Sequence, residues 1–188
     1  MHNLAVFASG TGTNFVAIAK ACASGVIDAC VAVMVCDKPG AAVIDRAGEL
    51  GVETFVFDPH AYASKAAYEA EIVKILDSKA VELVCLAGYM RIVGDTLLNA
   101  YEGKIINIHP SLLPAFKGAH AVEQAVAYGV KVYGISIHWV NSDLDGGKII
   151  AQRAFPYEGS DPEEVHRLGQ VIEHELYVET INKILCER

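Results

Sequence analysis

The sequence predicts an α/β domain with a mostly parallel central sheet and helices on both faces. Short apolar runs at residues 4–8, 30–36 and 82–86 have the character of strands buried on both sides. Helical patterns separate these runs, and β-α units of this length close into a parallel sheet through right-handed crossovers. No repeat, linker or low-complexity tract interrupts the 188 residues. One domain over 1–188 is therefore expected, large enough to bury roughly 70% of the surface of its unfolded chain.

The composition narrows the function classes. With 53% hydrophobic and 20% charged residues the chain is an ordered globular protein. A net charge of −8 argues against nucleic acid or an anionic membrane as a partner. It leaves room for a local phosphate site, which needs only a few backbone N–H groups. The amino terminus lacks a basic segment and runs directly into a strand, and no apolar run approaches the ~18 residues of a membrane span. Neither a signal peptide nor a span is expected, which points to the cytoplasm. The five cysteines are scattered, with no CxxC or Cys/His cluster. Reduced, mostly buried thiols are expected, without disulfide or metal.

In chain order, the first strand enters Ser9-Gly10-Thr11-Gly12-Thr13-Asn14 and then a helical pattern through Phe15, Ile18, Ala19 and Cys22. Strand, glycine-rich turn and helix form a phosphate-binding arrangement, because the helix N-terminus offers unpaired N–H groups and a favourable dipole. Thr13 and Asn14 add side-chain donors or cap the helix. A dinucleotide fingerprint fails here, since its third glycine falls at Phe15. After the strand at 30–36, Asp37-Lys38-Pro39-Gly40 turns the chain. A helix is expected over 41–50, a strand over 53–57 and a long amphipathic helix over 64–79. His60, beside Pro59, is expected in solvent.

Ligands of such sheets sit at the carboxyl ends of the strands. The loops to watch are therefore 9–14, 87–91 and 109–118. In the second, Arg91 is either a surface residue or a bidentate partner for a carboxylate or phosphate. The third follows Ile105-Ile106-Asn107-Ile108-His109-Pro110, a strand that should end at His109 because Pro110 cannot donate to the ladder. Asn107 and His109 are two apart and share a face. An amide donor beside an imidazole suits stabilising an oxyanion and moving a proton, although the same residues could simply cap a loop.

Lys117-Gly118-Ala119-His120 leads into the next helix, with His120 at its start, lining the site or facing water. Residues 132–140 alternate: Ile135, Ile137 and Trp139 face one way, Gly134, Ser136 and His138 the other. His138 is either a structural residue or a neighbour of Asn107 and His109. The polar loop Asn141-Ser142-Asp143-Leu144-Asp145-Gly146-Gly147 precedes a strand at 148–154. Asp145 is a turn residue, or the glycines fold it inward to orient a histidine. A long helix over 162–185 carries Glu173 and His174.

Together these segments resemble the phosphoribosylglycinamide formyltransferase family. The resemblance rests on Ala8-Ser9-Gly10-Thr11-Gly12-Thr13-Asn14, Leu86-Ala87-Gly88-Tyr89-Met90-Arg91-Ile92, and residues 107–114 with Phe116-Lys117-Gly118. Asp145-Gly146-Gly147 and Glu173-His174 complete it, in the family's order and at nearly its spacing. It implies a Rossmann-like formyltransferase fold and transfer of the formyl group of 10-formyltetrahydrofolate to the amine of glycinamide ribonucleotide, in purine synthesis. By the resemblance Asn107, His109 and Asp145 are catalytic, and Gly12, Thr13 and Asn14 hold the substrate phosphate. Met90, Arg91, Ile92, Val140, Asn141 and Asp145 hold the folate, with Arg91 meeting its glutamate tail. Gly88, Pro110, Lys117, Gly118, His120, His138 and Glu173 line the site, Glu173 contacting the ribonucleotide. No metal is implied. A mononucleotide-binding half over about 1–100 and a folate-binding, catalytic half over about 101–188 are expected. Lys148 departs from the family, where a proline often follows the glycine.

Rival readings are distinguishable. Methionyl-tRNA formyltransferase carries a further carboxyl-terminal tRNA domain, and formyltetrahydrofolate hydrolase an amino-terminal regulatory one. A non-catalytic nucleotide-binding module predicts binding without turnover. The assembly is open, with a homodimer as the form to test.

Overall fold

The computed structural model describes residues 1–187 and has the expected α/β architecture. Seven strands form one sheet: β1 (His2–Phe7), β2 (Ala29–Cys36), β3 (Thr54–Val56), β4 (Leu83–Leu86), β5 (Ile105–His109), β6 (Val132–Trp139) and β7 (Ile149–Pro156). Their order across the sheet is β3-β2-β1-β4-β5-β6-β7. The first five are parallel, and β6 and β7 run antiparallel to their neighbours. The helices are α1 (Thr13–Ala23), α2 (Ala42–Glu49), α3 (Lys65–Ser78), α4 (Asp95–Ala100), α5 (Ala121–Tyr128) and α6 (Pro162–Cys186).

The strand period of two divides the core. Leu4, Val6, Met34, Leu83 and Ile106 pack under Phe15 and Ile18 of α1, Val43 of α2, and Leu176, Tyr177 and Ile181 of α6. Phe7, Val33, Val84 and Ile105 point the other way, onto Tyr68, Ile72 and Leu76 of α3 and Leu97 of α4. Each such side chain contributes about 1.5–3 kcal/mol by leaving water, so both helical layers are held chiefly by this burial. Tyr177 adds a polar tie, its hydroxyl donating to the carbonyls of Leu86 at 2.9 Å and Ile106 at 3.3 Å.

Three local expectations are corrected. No helix is expected at α4, which has only six residues and owes its start to a distant side chain. The Glu69 carboxylate, 3% exposed, accepts the N–H groups of Gly94 at 2.6 Å and Leu97 at 3.3 Å. Both faces of β6 are buried, because the 110–118 segment folds over Gly134 and Ser136. Among the cysteines only Cys36 and Cys85 are buried; Cys22 and Cys30 are half-buried and Cys186 exposed.

Candidate active site

The order β2-β1-β4 reverses chain direction across the sheet, and that switch point gathers the loops at the carboxyl ends of the strands. The N–H of Ser9, after β1, donates to the Gly88 carbonyl, after β4, at 3.1 Å. The next strand brings Asn107 and His109 to the same edge. Since β6 runs antiparallel to β5, His138 is the register partner of Asn107. The return loop before β7 then adds Asp145.

These four side chains meet. Asp145 Oδ2 lies 3.4 Å from His109 Nδ1, and Oδ1 lies 3.5 Å from His138 Nε2. The side chains of Asp145, His109 and His138 are 9%, 7% and 3% exposed, so little water screens them. Asp145 also accepts the Gly118 N–H at 2.8 Å. The hydrogen bond from His138, then the Gly118 N–H and the charge of His109, outweigh burial and hold the carboxyl at about 2, below its ordinary 3.8. Asp145 is therefore an anion at neutral pH.

Hydrogen-bond directions fix the ring roles. The Trp139 carbonyl lies 2.9 Å from His138 Nδ1 and can only accept, so that nitrogen carries a proton. In the neutral ring Nε2 then accepts from Asn107 Nδ2, at 3.2 Å, which leaves one amide N–H of Asn107 for a ligand. A protonated His138 donates to Asp145 instead. His109 places Nε2 2.8 Å from the Phe116 carbonyl and Nδ1 toward Asp145. Both its nitrogens face oxygen acceptors, a pattern that only the doubly protonated ring satisfies in full.

On the other side of the sheet, Gly12 caps α1 at φ +73° with no side-chain cap. A Cβ there would overlap the Val43 side chain, lying 2.7 Å from its Cβ, so the turn requires glycine. Thr13 Oγ1 accepts from Gln170 Nε2 at 3.2 Å, and Asn14 Nδ2 donates to Glu173 Oε2 at 2.8 Å. Asn14 Oδ1 and His174 Nε2 are buried without a hydrogen-bond partner among the described residues. The start of α1 and the middle of α6 are thus joined by side-chain hydrogen bonds.

The remaining expected residues divide into two groups. Met90 and Ile92 are 77% and 63% exposed, flanking Arg91. Val140 is half-buried against the same core layer as Tyr89, and Asn141 is exposed. Gly118 reaches the cluster through its backbone, and Pro110 follows His109 directly. Lys117 and His120 are exposed and make none of the cluster's hydrogen bonds or ion pairs; His120 is the α5 N-cap, in the left-handed region. His60 is exposed, as expected. Among the described residues no group of three or more metal-ligating side chains is gathered, and no helix is long and apolar enough to cross a membrane.

Asp37 was read only as a turn residue. Its carboxylate accepts the Ser9 hydroxyl at 2.5 Å and the Arg91 Nε–H at 2.9 Å. Its position directly after an apolar strand, at the same sheet edge as Ser9 and Arg91, was the available signal.

The formyl transferase family model matches residues 2–181. A phosphoribosylglycinamide formyltransferase of Bacillus subtilis is 50% identical over 186 residues, 98% of this chain and 95% of that protein. The Escherichia coli protein of the same name is 36% identical over 93% of this chain and 83% of its own length. The crystal structure of glycinamide ribonucleotide transformylase 1 from Geobacillus kaustophilus superposes with a TM-score of 0.96 at 50% identity, covering 98% of this chain and 99% of that one.

Proposed function

Because the chain belongs to the formyl transferase family, we infer that it transfers the formyl group of 10-formyltetrahydrofolate to the amine of glycinamide ribonucleotide. The products are formylglycinamide ribonucleotide and tetrahydrofolate, a step of de novo purine synthesis. The observation that carries this reading is the convergence of Asn107, His109, His138 and Asp145 beside two separate candidate binding surfaces. One is the α1 start with Gly12, Thr13, Asn14 and Glu173, suited to a phosphorylated ribose. The other is the exposed Met90-Arg91-Ile92 loop with Val140 and Asn141, suited to a flat, apolar molecule with an anionic tail. The amino-terminal half supplies Gly12, Thr13 and Asn14 of the phosphate surface, and the carboxyl-terminal half supplies Glu173 and the catalytic set.

In the proposed mechanism the substrate amine attacks the formyl carbon, giving a tetrahedral intermediate with a negative oxygen. The second amide hydrogen of Asn107 donates to that oxygen, and the protonated His109 donates through Nε2. The substrate oxygen thereby replaces the Phe116 carbonyl as acceptor. Asp145 holds the imidazolium by charge and orientation, and His138 holds the Asn107 amide by accepting its other hydrogen. His109 is the group placed to give its Nε2 proton to the leaving folate nitrogen and, once neutral, to take up the proton that the attacking amine releases. A positioned acid–base group contributes about 10²–10⁴ in rate and an oxyanion donor about 10²–10³.

The reaction uses small-molecule substrates, and cytoplasmic placement suits it. Turnover measured with both substrates, following the absorbance of the folate product, tests the reading. Product is expected only when both are present, and Asn107→Ala, His109→Ala and Asp145→Ala should each lower kcat by at least about a hundredfold while remaining folded. Folate release without ribonucleotide would identify a hydrolase. Tight ligand binding with no turnover would identify a binding module.

A further inference from the structure

The Asp37 carboxylate is buried outside the catalytic set, its side chain only 7% exposed, and both of its oxygens are engaged. Oδ1 accepts from the Ser9 hydroxyl at 2.5 Å and Oδ2 from Arg91 Nε at 2.9 Å. Ser9 Oγ in turn accepts the Met90 N–H at 2.9 Å. Three polar links thus join the carboxyl ends of β2, β1 and β4 at the switch point of the sheet. A carboxylate at this depth is tolerated only when paired and hydrogen-bonded, so the Ser9 and Arg91 contacts hold one another in place.

The consequence falls on Arg91. A guanidinium gripped through Nε cannot offer its Nε edge to a ligand. Its two Nη groups make no hydrogen bond to the described residues, and the side chain is 37% exposed. What it presents is an end-on fork, a geometry matched to a carboxylate. The flanking Met90 and Ile92, 77% and 63% exposed, supply apolar contact on either side.

We propose that Asp37 is a positioning residue for the co-substrate: with Ser9 it fixes the 88–92 loop and aims the end-on fork of Arg91 at the glutamate carboxylate of 10-formyltetrahydrofolate. This rests on the reading of that loop as the folate surface. Asp37 touches no substrate. Its contribution is orientation, so a neutral oxygen at the same place retains much of it, and a co-substrate without the carboxylate gains nothing from it.

The test compares wild type, Asp37→Ala, Asp37→Asn and Arg91→Ala with two co-substrates, 10-formyltetrahydrofolate and 10-formyltetrahydropteroate, which lacks the glutamate. Asp37→Ala is expected to raise the KM for the folate about tenfold while kcat stays within about twofold, the scale of one lost charge-assisted hydrogen bond. The KM for glycinamide ribonucleotide and for the pteroate should not move. Asp37→Asn should recover most of the loss, because its amide oxygen still accepts from Arg91 Nε. An equal rise in KM for both co-substrates overturns the proposal, as does a fall in kcat with KM unchanged. If Arg91→Ala raises the folate KM selectively and Asp37→Ala does not, Asp37 alone fails. If wild type treats both co-substrates alike and Arg91→Ala changes neither KM, the folate reading of the loop fails and Asp37 falls with it. Should Asp37→Ala not fold, Ser9→Ala decides. It cuts the Met90 link and should raise the folate KM about threefold with the pteroate KM unmoved, whereas no selective rise would overturn the proposal.

Discussion

Replacing Gly147 with alanine is expected to slow turnover about a hundredfold, although the residue touches no substrate. It lies where the loop from β6 returns to start β7, against the backbone of Trp139. A methyl group there would overlap the Trp139 carbonyl oxygen and lie 2.7 Å from its carbon, whereas ordinary contact begins near 3.4 Å. Clearing the carbon alone needs a lift of about 0.7 Å, and the nearer oxygen demands more. Asp145, two residues upstream, lies 3.4 Å from His109 and 3.5 Å from His138, so the same lift takes both contacts past 4 Å. The displaced carbonyl is also the one that holds His138 Nδ1, so the orientation of Asn107 suffers with it. Steady-state kinetics with both substrates should show the loss in kcat with KM values little changed. Overpacking of about 1–3 kcal/mol should lower the melting temperature by about 2–4 °C per kcal/mol. Gly48→Ala is the control, because a methyl added there on the exposed face of α2 meets nothing within 4 Å. Its kcat should remain within about threefold of wild type. A folded Gly147→Ala with a kcat equally close to wild type would refute the dependence of turnover on the position of Asp145.

Three further outcomes concern stability. The Asp145 carboxyl sits at about 2 in the folded chain against an ordinary 3.8, so its anion stabilises the fold. Asp145→Asn should lose about 2 kcal/mol in urea unfolding at pH 7; the gap should stay full above about pH 4 and close toward about pH 2, whereas a gap that widens on acidification would contradict the assignment. Tyr177→Phe, which removes a fully buried hydroxyl serving two strand carbonyls, should lower the unfolding free energy by about 1–2 kcal/mol by denaturant titration. Glu69→Ala leaves the N–H groups of Gly94 and Leu97 buried without their acceptor. It should cost about 2–3 kcal/mol and speed amide exchange in α4 more than in α3, and uniform exchange would argue against a local cap.

Regular elements were legible where burial imposes a period. The helix expected over 64–79 is α3 with its two capping residues, Ser64 accepting the Ala67 N–H at its start. The strand end at His109 followed from Pro110. The helix α4 was not legible, because its first turn is satisfied by Glu69, a residue of another helix 25 positions away. The pairing of Asn107 with His138 required knowing that β6 runs antiparallel, which local sequence does not encode. Asp37 escaped notice for the same reason: its guanidinium partner lies 54 residues on, and a lone Asp before Lys-Pro-Gly has the composition of a turn. His120 illustrates the converse, a polar residue beside the site in sequence whose side chain the α5 N-cap leaves in water.

The hydrogen bond between Asn14 and Glu173 spans 159 residues, and this bears on how the protein is made. A ribosome delivers the glycine-rich turn early and α6 last among the helices. The parallel strands can begin to pair before α6 emerges, but Thr13 and Asn14 have no partners on α6 until then. A chain that stops short of α6 therefore lacks one partner of each of these contacts. Translation that halts before α6 leaves Leu4, Val6 and Ile106 without the helix that covers them, an apolar surface of the kind chaperones and proteases act upon. Synthesis order thus makes the joining of the first helix to the last a mark of completion, and leaves unfinished copies exposed to quality control.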